Sequence, residues 1–218
     1  HKHHKNFGKT TNSNTYQYIS KMYIYRTLTP EQKAELVQQR LSRGYPPHSP
    51  PHTIRNQELY FITATCYEHK HHMSTEARRQ EILDMLFEEL INNGIEILAW
   101  VILPNHYHIL VHVENFDVVG KSLRRVHGRT SRFWNLADNT SGRKVWYSYF
   151  DRAIRSERHY YATINYIHNN PVKHGWAESN FDWNQSSINW YLQEYGKEWL
   201  LDCCVKYYVE NFGAGWDD

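Results

Sequence analysis

Two histidines separated by one residue, His106 and His108, are the first residues whose types and spacing point to chemistry. They open the apolar run 106–113, which predicts a strand, and alternate residues of a strand point to the same face of a sheet. Two imidazoles on one face are able to hold a divalent cation from one side. The alternative is a pair of structural histidines, each satisfied by hydrogen bonds.

A second pair lies on a later predicted helix, from Glu157 to about Asn169, which we expect the Asn-Pro171 step to stop. Tyr166 and Asn170 are four residues apart and therefore share one helix face. If this helix lies across the sheet, the Asn170 amide completes the shell of a cation while the Tyr166 hydroxyl faces a bound phosphate. The alternative is a packing tyrosine, in a chain with 17 tyrosines.

The segment around the histidines resembles the signature of HUH-class single-domain tyrosine transposases. Residues 99–111 read AWVILPNHYHILV. The family shows a hydrophobic strand, Leu-Pro-x-His-x-His and a second hydrophobic strand. The resemblance implies that His106 and His108 are metal ligands.

The segment around the tyrosine resembles the REP-associated tyrosine transposases, a branch of the same superfamily. Residues 165–176 read NYIHNNPVKHGW, a tyrosine followed after a short gap by Asn-Pro-Val-Lys-x-Gly. With further matches at residues 145–155 and 182–187, the resemblance covers about Tyr25 to Tyr191. It implies that Tyr166 is the catalytic nucleophile and that Asn170 is the third metal ligand, where related transposases often carry Gln.

The chemistry implied by the resemblance is cleavage and rejoining of single-stranded DNA that carries a REP-type hairpin. A phenol is a weak nucleophile at neutral pH because its ordinary pKa is near 10. With a divalent cation polarising the phosphate, Tyr166 would attack in line and leave a 5′-phosphotyrosine and a free 3′-hydroxyl. Two imidazoles and an amide suit Mn²⁺ by ligand preference, and Mg²⁺ is favoured by its abundance.

Basic side chains near these motifs are candidates for DNA contact. One group falls on one broad face of a predicted helix over residues 118–134, and the other flanks the tyrosine helix. A solvated surface is the alternative for the first group. The candidates are Lys121, Arg124, Arg125, Arg129, Arg132, Arg152, Arg155, Lys173 and His174.

The elements that must position these residues follow the order β-α-β-β-α-β-α. The fold class is α+β, with an antiparallel central sheet sandwiched by helices as in HUH, ferredoxin-like and RRM-like folds, and with an N-terminal helical and Pro-rich extension. Apolar periodicity and capping residues set the bounds. Strands are predicted over 58–66, 95–103, 106–113 and 145–154, and helices over 75–92, 118–134, 157–169 and 187–195.

Four regions are predicted along the chain. Residues 1–21 are polar and His-rich, which indicates a disordered or tag-like tail. Residues 22–56 hold a predicted helix over 29–43 and a Pro-rich arm over 45–52. We expect the HUH core over 57–180 and a C-terminal extension, aromatic-rich and irregular apart from one helix, over 181–218.

The composition of the chain narrows the cellular location that we expect for it. The three cysteines, Cys66, Cys203 and Cys204, form no paired framework, which favours reduced thiols. The chain shows no secretory signal and no apolar run long enough to span a bilayer. We therefore expect a cytoplasmic, nucleoid-associated bacterial protein with no membrane partner. A monomer is favoured and a dimer stays open.

Several functions compete with the favoured single-strand endonuclease and strand transferase. A transposase that mobilises its own element would use the same chemistry. A non-catalytic nucleic-acid hairpin-binding protein and a structural zinc protein are alternatives from other classes. A relaxase fits less well, because relaxases usually place the tyrosine before the histidine pair, and here Tyr166 follows His106 and His108.

Overall fold

The computed structural model describes Thr29, Glu31 and residues 58–213. The tail predicted over residues 1–21 and the Pro-rich arm over 45–52 lie outside the described residues. So does nearly all of the helix predicted over 29–43. Every element described below belongs to the unit formed by residues 56–218.

Four strands form one antiparallel sheet in the order β2-β3-β1-β4, which confirms the predicted fold class. They are β1 (Leu59–Thr65), β2 (Glu96–Ile102), β3 (His106–His112) and β4 (Phe150–Ala153). β2 and β3 form a hairpin across the Pro104-Asn105 turn, with the Leu103 amide donating to the His106 carbonyl at 2.8 Å. β3 therefore lies between β2 and β1, and its residues are buried on both faces.

Helices cover both faces of this sheet. α1 (Glu76–Asn92) begins at Thr75, whose hydroxyl accepts from the Arg78 amide, and packs with α2 (Asp117–Ala137). These two helices enclose the apolar core with β3 residues Tyr107, Ile109 and Val111. α3 (Glu157–Lys173) packs on β2 and β3. Because successive strand residues alternate between faces, His106 and His108 point to the α3 side.

The predicted end of the tyrosine helix is wrong. α3 continues through Asn170 to Lys173 with Pro171 inside it. A proline removes one amide donor and crowds the preceding turn, but here only the last turn is affected. The amides of His174 and Trp176 donate to the carbonyls of Asn170 and Pro171 and complete that turn. Asn170 is thereby held in regular helix geometry.

The strand predicted over residues 145–154 is also shorter in the structure. Only Phe150–Ala153 pair continuously with β1, while Trp146 makes an isolated bridge with Cys66. The register shifts by one residue between the Cys66–Trp146 bridge and the Thr63–Phe150 pair. An extra residue in one strand makes a bulge, and this bulge divides the predicted strand.

The described part of the C-terminal extension, up to residue 213, contains one more α-helix than predicted. α4 (Ile188–Tyr195) matches the expected helix, and α5 (Lys197–Lys206) follows it directly. Gly196 separates them with a φ of 82°, a conformation that glycine adopts without a steric penalty. Among the described residues, no helix has the length and apolar character needed to cross a membrane.

A buried polar cluster lies on the sheet face opposite His106 and His108. The Tyr107 hydroxyl and His127 Nε2 are 2.8 Å apart, and the His127 ring stacks on Trp146 with ring centroids 4.5 Å apart. Burial lowers the pKa of His127 to about 4. His127 is therefore neutral at physiological pH and becomes charged only in acid.

We expect the His127→Phe variant to lose part of the acid sensitivity of folding. The unfolded chain binds this proton near pH 6.5 and the folded chain near pH 4. The stability due to neutral His127 is complete above pH 6.5 and falls by about 1.4 kcal/mol per pH unit as pH drops toward 4. Urea unfolding between pH 4.5 and 7.5 measures how the free energy of unfolding changes with pH in the variant and in the unmodified protein. Equal slopes in the two proteins would contradict the assignment.

Candidate active site

His106 and His108 lie side by side on the central strand β3. Both rings are buried, and their centroids are 4.9 Å apart. β3 is hydrogen-bonded to β2 on one side and to β1 on the other. Two hydrogen-bonded neighbours make its backbone rigid, so the two rings have little freedom to separate.

The Nδ1 atom of each ring lies within hydrogen-bond distance of a polar side chain. His106 Nδ1 lies 2.8 Å from Asn105 Oδ1, and His108 Nδ1 lies 2.9 Å from Thr63 Oγ1. In the tautomer in which His106 Nδ1 donates to the Asn105 amide oxygen, the lone pair of that ring lies on Nε2. Asn105 and Thr63 thus fix how the two rings are oriented.

Asn170 reaches the histidine pair from α3. Its side chain is fully buried, and its Oδ1 lies 3.1 Å from His106 Nε2. Its Nδ2 has no hydrogen-bond partner within residues 58–213. In the tautomer that leaves the lone pair on His106 Nε2, this nitrogen and Asn170 Oδ1 are both acceptors and repel unless a donor or a cation lies between them. Two ligand atoms about 2.1 Å from one ion, at right angles to each other, are roughly 3.0 Å apart, so the observed separation fits a shared cation.

The amide is the third protein donor available here. In the part of the chain that the structure describes, no group of three or more histidine, cysteine or carboxylate side chains is arranged to hold a metal. Two imidazoles and one neutral oxygen leave positions for a phosphate oxygen and water. This donor set fits a divalent cation of the Mn²⁺ or Mg²⁺ type better than a closed tetrahedral zinc site.

Tyr166 lies one helical turn before Asn170 and contacts His108 of the pair. Its ring packs edge-on against His108, with centroids 5.3 Å apart, and against Phe61 at 5.9 Å. Lys173 Nζ donates to the Tyr166 hydroxyl at 3.2 Å. The phenol oxygen therefore lies beside a positive charge, which stabilises negative charge that develops on it. The same chain supplies the tyrosine and the histidines.

A C-terminal segment, residues 207–213, covers the tyrosine. Tyr166 is only 7% exposed, and the Phe212 ring lies 5.9 Å from it. Gly213 adopts a φ of 78°, and any side chain there would overlap the Tyr166 ring. The Tyr208 carbonyl accepts from Arg158 on α3. Sequence reasoning missed this cover, and the glycine at 213 is its one local signal.

The predicted DNA-binding residues fall into two places. Arg152 lies on β4, and Arg155 comes two residues after the end of that strand. Lys173 and His174 lie at the end of α3, where the centroid of the His174 ring is 5.0 Å from that of His106. The basic face of α2 lies on the helix layer that covers the other side of the sheet, where Arg125 pairs with Glu89 of α1. Only the group on β4 and α3 includes residues that contact the site, since His174 lies beside His106 and Lys173 donates to Tyr166.

The five basic residues of α2 are all exposed. Arg129 pairs with Glu88 at 3.7 Å, as Arg125 does with Glu89 at 2.7 Å. Ion pairs between α1 and α2 agree with the solvated-surface interpretation of this helix. The members of this face are Lys121, Arg124, Arg125, Arg129 and Arg132.

Comparison with known families decides the class of protein to which this fold belongs. The family model described as "Transposase IS200 like" matches residues 54–170, more than half of the 218-residue chain. The chain belongs to the IS200-like transposase family. As an IS200-like transposase it is a DNA transposase or endonuclease, and the matched segment contains His106, His108, Tyr166 and Asn170.

Two relatives of this IS200-like transposase are informative. The REP-associated tyrosine transposase of Escherichia coli K12 is 28% identical over 166 residues, which cover 74% of this chain and 86% of that protein. A solved structure of a REP-associated tyrosine transposase bound to a REP hairpin matches with a TM-score of 0.52 and 22% identity. It covers 64% of this chain and 81% of the other. The likeness to that structure shows the shared fold.

Proposed function

We propose that this transposase cleaves and rejoins single-stranded DNA beside REP-type hairpins through a phosphotyrosine at Tyr166. The observation that carries the proposal is the contact of Tyr166 with His108, while Asn170 of the same helix faces His106. The names of the E. coli relative and of the hairpin-bound structure support the REP-type substrate. The resemblance also implies that the nucleophile lies on this helix, which supports the assignment to Tyr166.

A divalent cation held by His106, His108 and Asn170 would polarise the scissile phosphate when bound. The Tyr166 oxygen attacks phosphorus as the bond to the 3′ oxygen breaks; the phenol loses its proton and the leaving 3′ oxygen gains one. Lys173 stabilises the phenol oxygen as it becomes negative. A 3′-hydroxyl reverses the step and joins the strands, because the bond energy is kept in the phosphotyrosine.

The test is a labelled hairpin oligonucleotide with a single-stranded flank, incubated with the protein and Mn²⁺. We expect a covalent adduct that survives denaturation, with the label on the peptide that contains Tyr166. Tight binding with no adduct in Mn²⁺ or Mg²⁺ would favour a non-catalytic hairpin-binding protein instead. Because Phe212 and Gly213 lie against the tyrosine, a chain ending at Tyr207 is assayed in parallel.

The Thr63→Val variant tests how the cation site is held. Valine keeps the shape of threonine but loses the hydroxyl that contacts His108 Nδ1 at 2.9 Å. Losing a partner that orients a ligand histidine typically weakens metal affinity about 10- to 100-fold. We expect a loss of that size for Mn²⁺, measured by titration calorimetry. Thr65→Val, on the same face of β1, is the matched control, and equal affinities in both variants would contradict the role of Thr63.

A further inference from the structure

An exposed phenylalanine lies on β4, the last strand of the described sheet, in line with His108. Phe150 is 73% exposed on β4, and its partner in the sheet is Thr63, whose other partner is His108. Directly opposite residues of antiparallel strands project from the same face. Phe150, Thr63 and His108 thus form one row, with Phe150 two strand spacings, about 10 Å, from His108.

A basic residue stands beside Phe150 on the same face. Arg152 is exposed, and its partner on β1 is Phe61, whose ring contacts both His108 and Tyr166. The centroid of the Phe61 ring lies 5.1 Å from that of His108 and 5.9 Å from that of Tyr166. An aromatic ring and a guanidinium group therefore lie next to each other, one strand away from side chains that contact the site.

We propose that Phe150 and Arg152 form a platform that stacks an unpaired base of the DNA strand next to the scissile phosphate. This inference rests on the proposed function. Every base has an apolar face that stacks on an aromatic ring, and an arginine beside the ring binds the phosphate that follows. The platform would fix the strand so that the scissile phosphate meets Tyr166 in line.

Charge and position favour a nucleic-acid strand as the occupant. Arg155 follows β4, and Arg152 and Arg155 both lie close enough to His159 of α3 to lower its pKa, after the larger effect of burial. This positive edge lies one strand away from the side chains that contact the site, and it suits a phosphate backbone. A second copy of the chain, pairing along the edge strand β4, is the competing occupant and is an outcome of the test.

The test measures DNA binding in a Tyr166→Phe background, so that cleavage does not interfere. Its ligands are a hairpin with a short single-stranded flank and the same hairpin with a blunt end. We expect Phe150→Ala to weaken binding of the flanked hairpin about 5- to 100-fold and to leave the blunt hairpin unchanged. Phe150→Trp should restore binding. Phe133→Ala is the control, because Phe133 is also exposed (42%) but lies on α2.

A fluorescent base analogue in the flank gives a direct readout of stacking. Its emission should be quenched on binding when Phe150 is present and should stay high with Phe150→Ala. If Phe150→Ala leaves both the affinity for the flanked hairpin and the fluorescence quenching unchanged, Phe150 does not stack a base and the proposal is wrong. The proposal is also wrong if this substitution abolishes a concentration-dependent dimer without any effect on DNA. Adduct formation by the protein with Tyr166 intact is scored separately, so loss of the platform and loss of the proposed chemistry are distinguishable.

Discussion

The Tyr166→Phe variant is expected to form no covalent adduct with hairpin DNA while it binds the hairpin within about threefold of the unmodified protein. The substitution removes only the hydroxyl that attacks phosphorus. The ring contacts with His108 and Phe61 remain, and the hydrogen bond from Lys173 is lost. A hydrogen bond to a charged group contributes about 1.5 to 3 kcal/mol, and because this one lies within the protein, its loss bears on folding rather than on binding of the hairpin. Denaturing gels measure the adduct, and fluorescence anisotropy measures binding.

Tyr161→Phe is the matched control for this experiment. Tyr161 lies on the same helix and is also buried, but its ring stacks on Tyr207, with centroids 4.5 Å apart. We expect this variant to form the adduct at the rate of the unmodified protein. An adduct of normal yield in Tyr166→Phe would show that another side chain attacks the phosphate, and the cleavage mechanism proposed for α3 would then be wrong.

The histidine face was predictable because its cause is local. Alternation in a strand depends only on neighbouring residues, so His106 and His108 share a face whatever lies around them. The Pro104-Asn105 turn and the apolar runs on either side of it predict the β2-β3 hairpin in the same way. The shared face of Tyr166 and Asn170 also follows from helix geometry alone.

The surroundings of the histidines depend on contacts between distant residues. Thr63 contacts His108 only because β1 pairs with β3 in one particular register, which the residue types do not reveal. Residues 207–213 follow α4 and α5 in the chain, and the packing of these C-terminal helices brings them to Tyr166. Apart from the glycine at 213, no local pattern signals either contact.

Distance along the chain was also a poor guide to which basic residues lie near the site. α2 begins five residues after β3 ends, yet it packs with α1 on the face that carries Tyr107. Arg152 is more than forty residues from His108 in sequence and lies two strands away from it in the sheet. The order of strands in the sheet decides which charges border the histidines.

His106→Ala is expected to lower the rate of DNA cleavage roughly 10²- to 10⁴-fold, which corresponds to several kcal/mol of stabilisation of the transition state. The Nε2 of this ring faces the Asn170 oxygen at 3.1 Å. Its removal leaves a cation with one imidazole and one neutral amide, too few donors for tight binding. We expect Mn²⁺ affinity to fall in the same variant, and EDTA to reduce the unmodified protein to the same residual rate. Calorimetry and the adduct assay measure the two effects independently.

The His112→Ala variant distinguishes the loss of a bound cation from a general disturbance of β3. His112 lies on the same strand and the same face, but Glu58 and Glu96 hold its ring at 3.2 Å and 3.5 Å and raise its pKa. Its loss removes ion pairs that stabilise the fold once the ring is protonated, that is, below its raised pKa. Cation binding and cleavage should persist. An equal loss of cleavage in His106→Ala and His112→Ala would mean that catalysis depends on the integrity of β3 rather than on a cation held by His106.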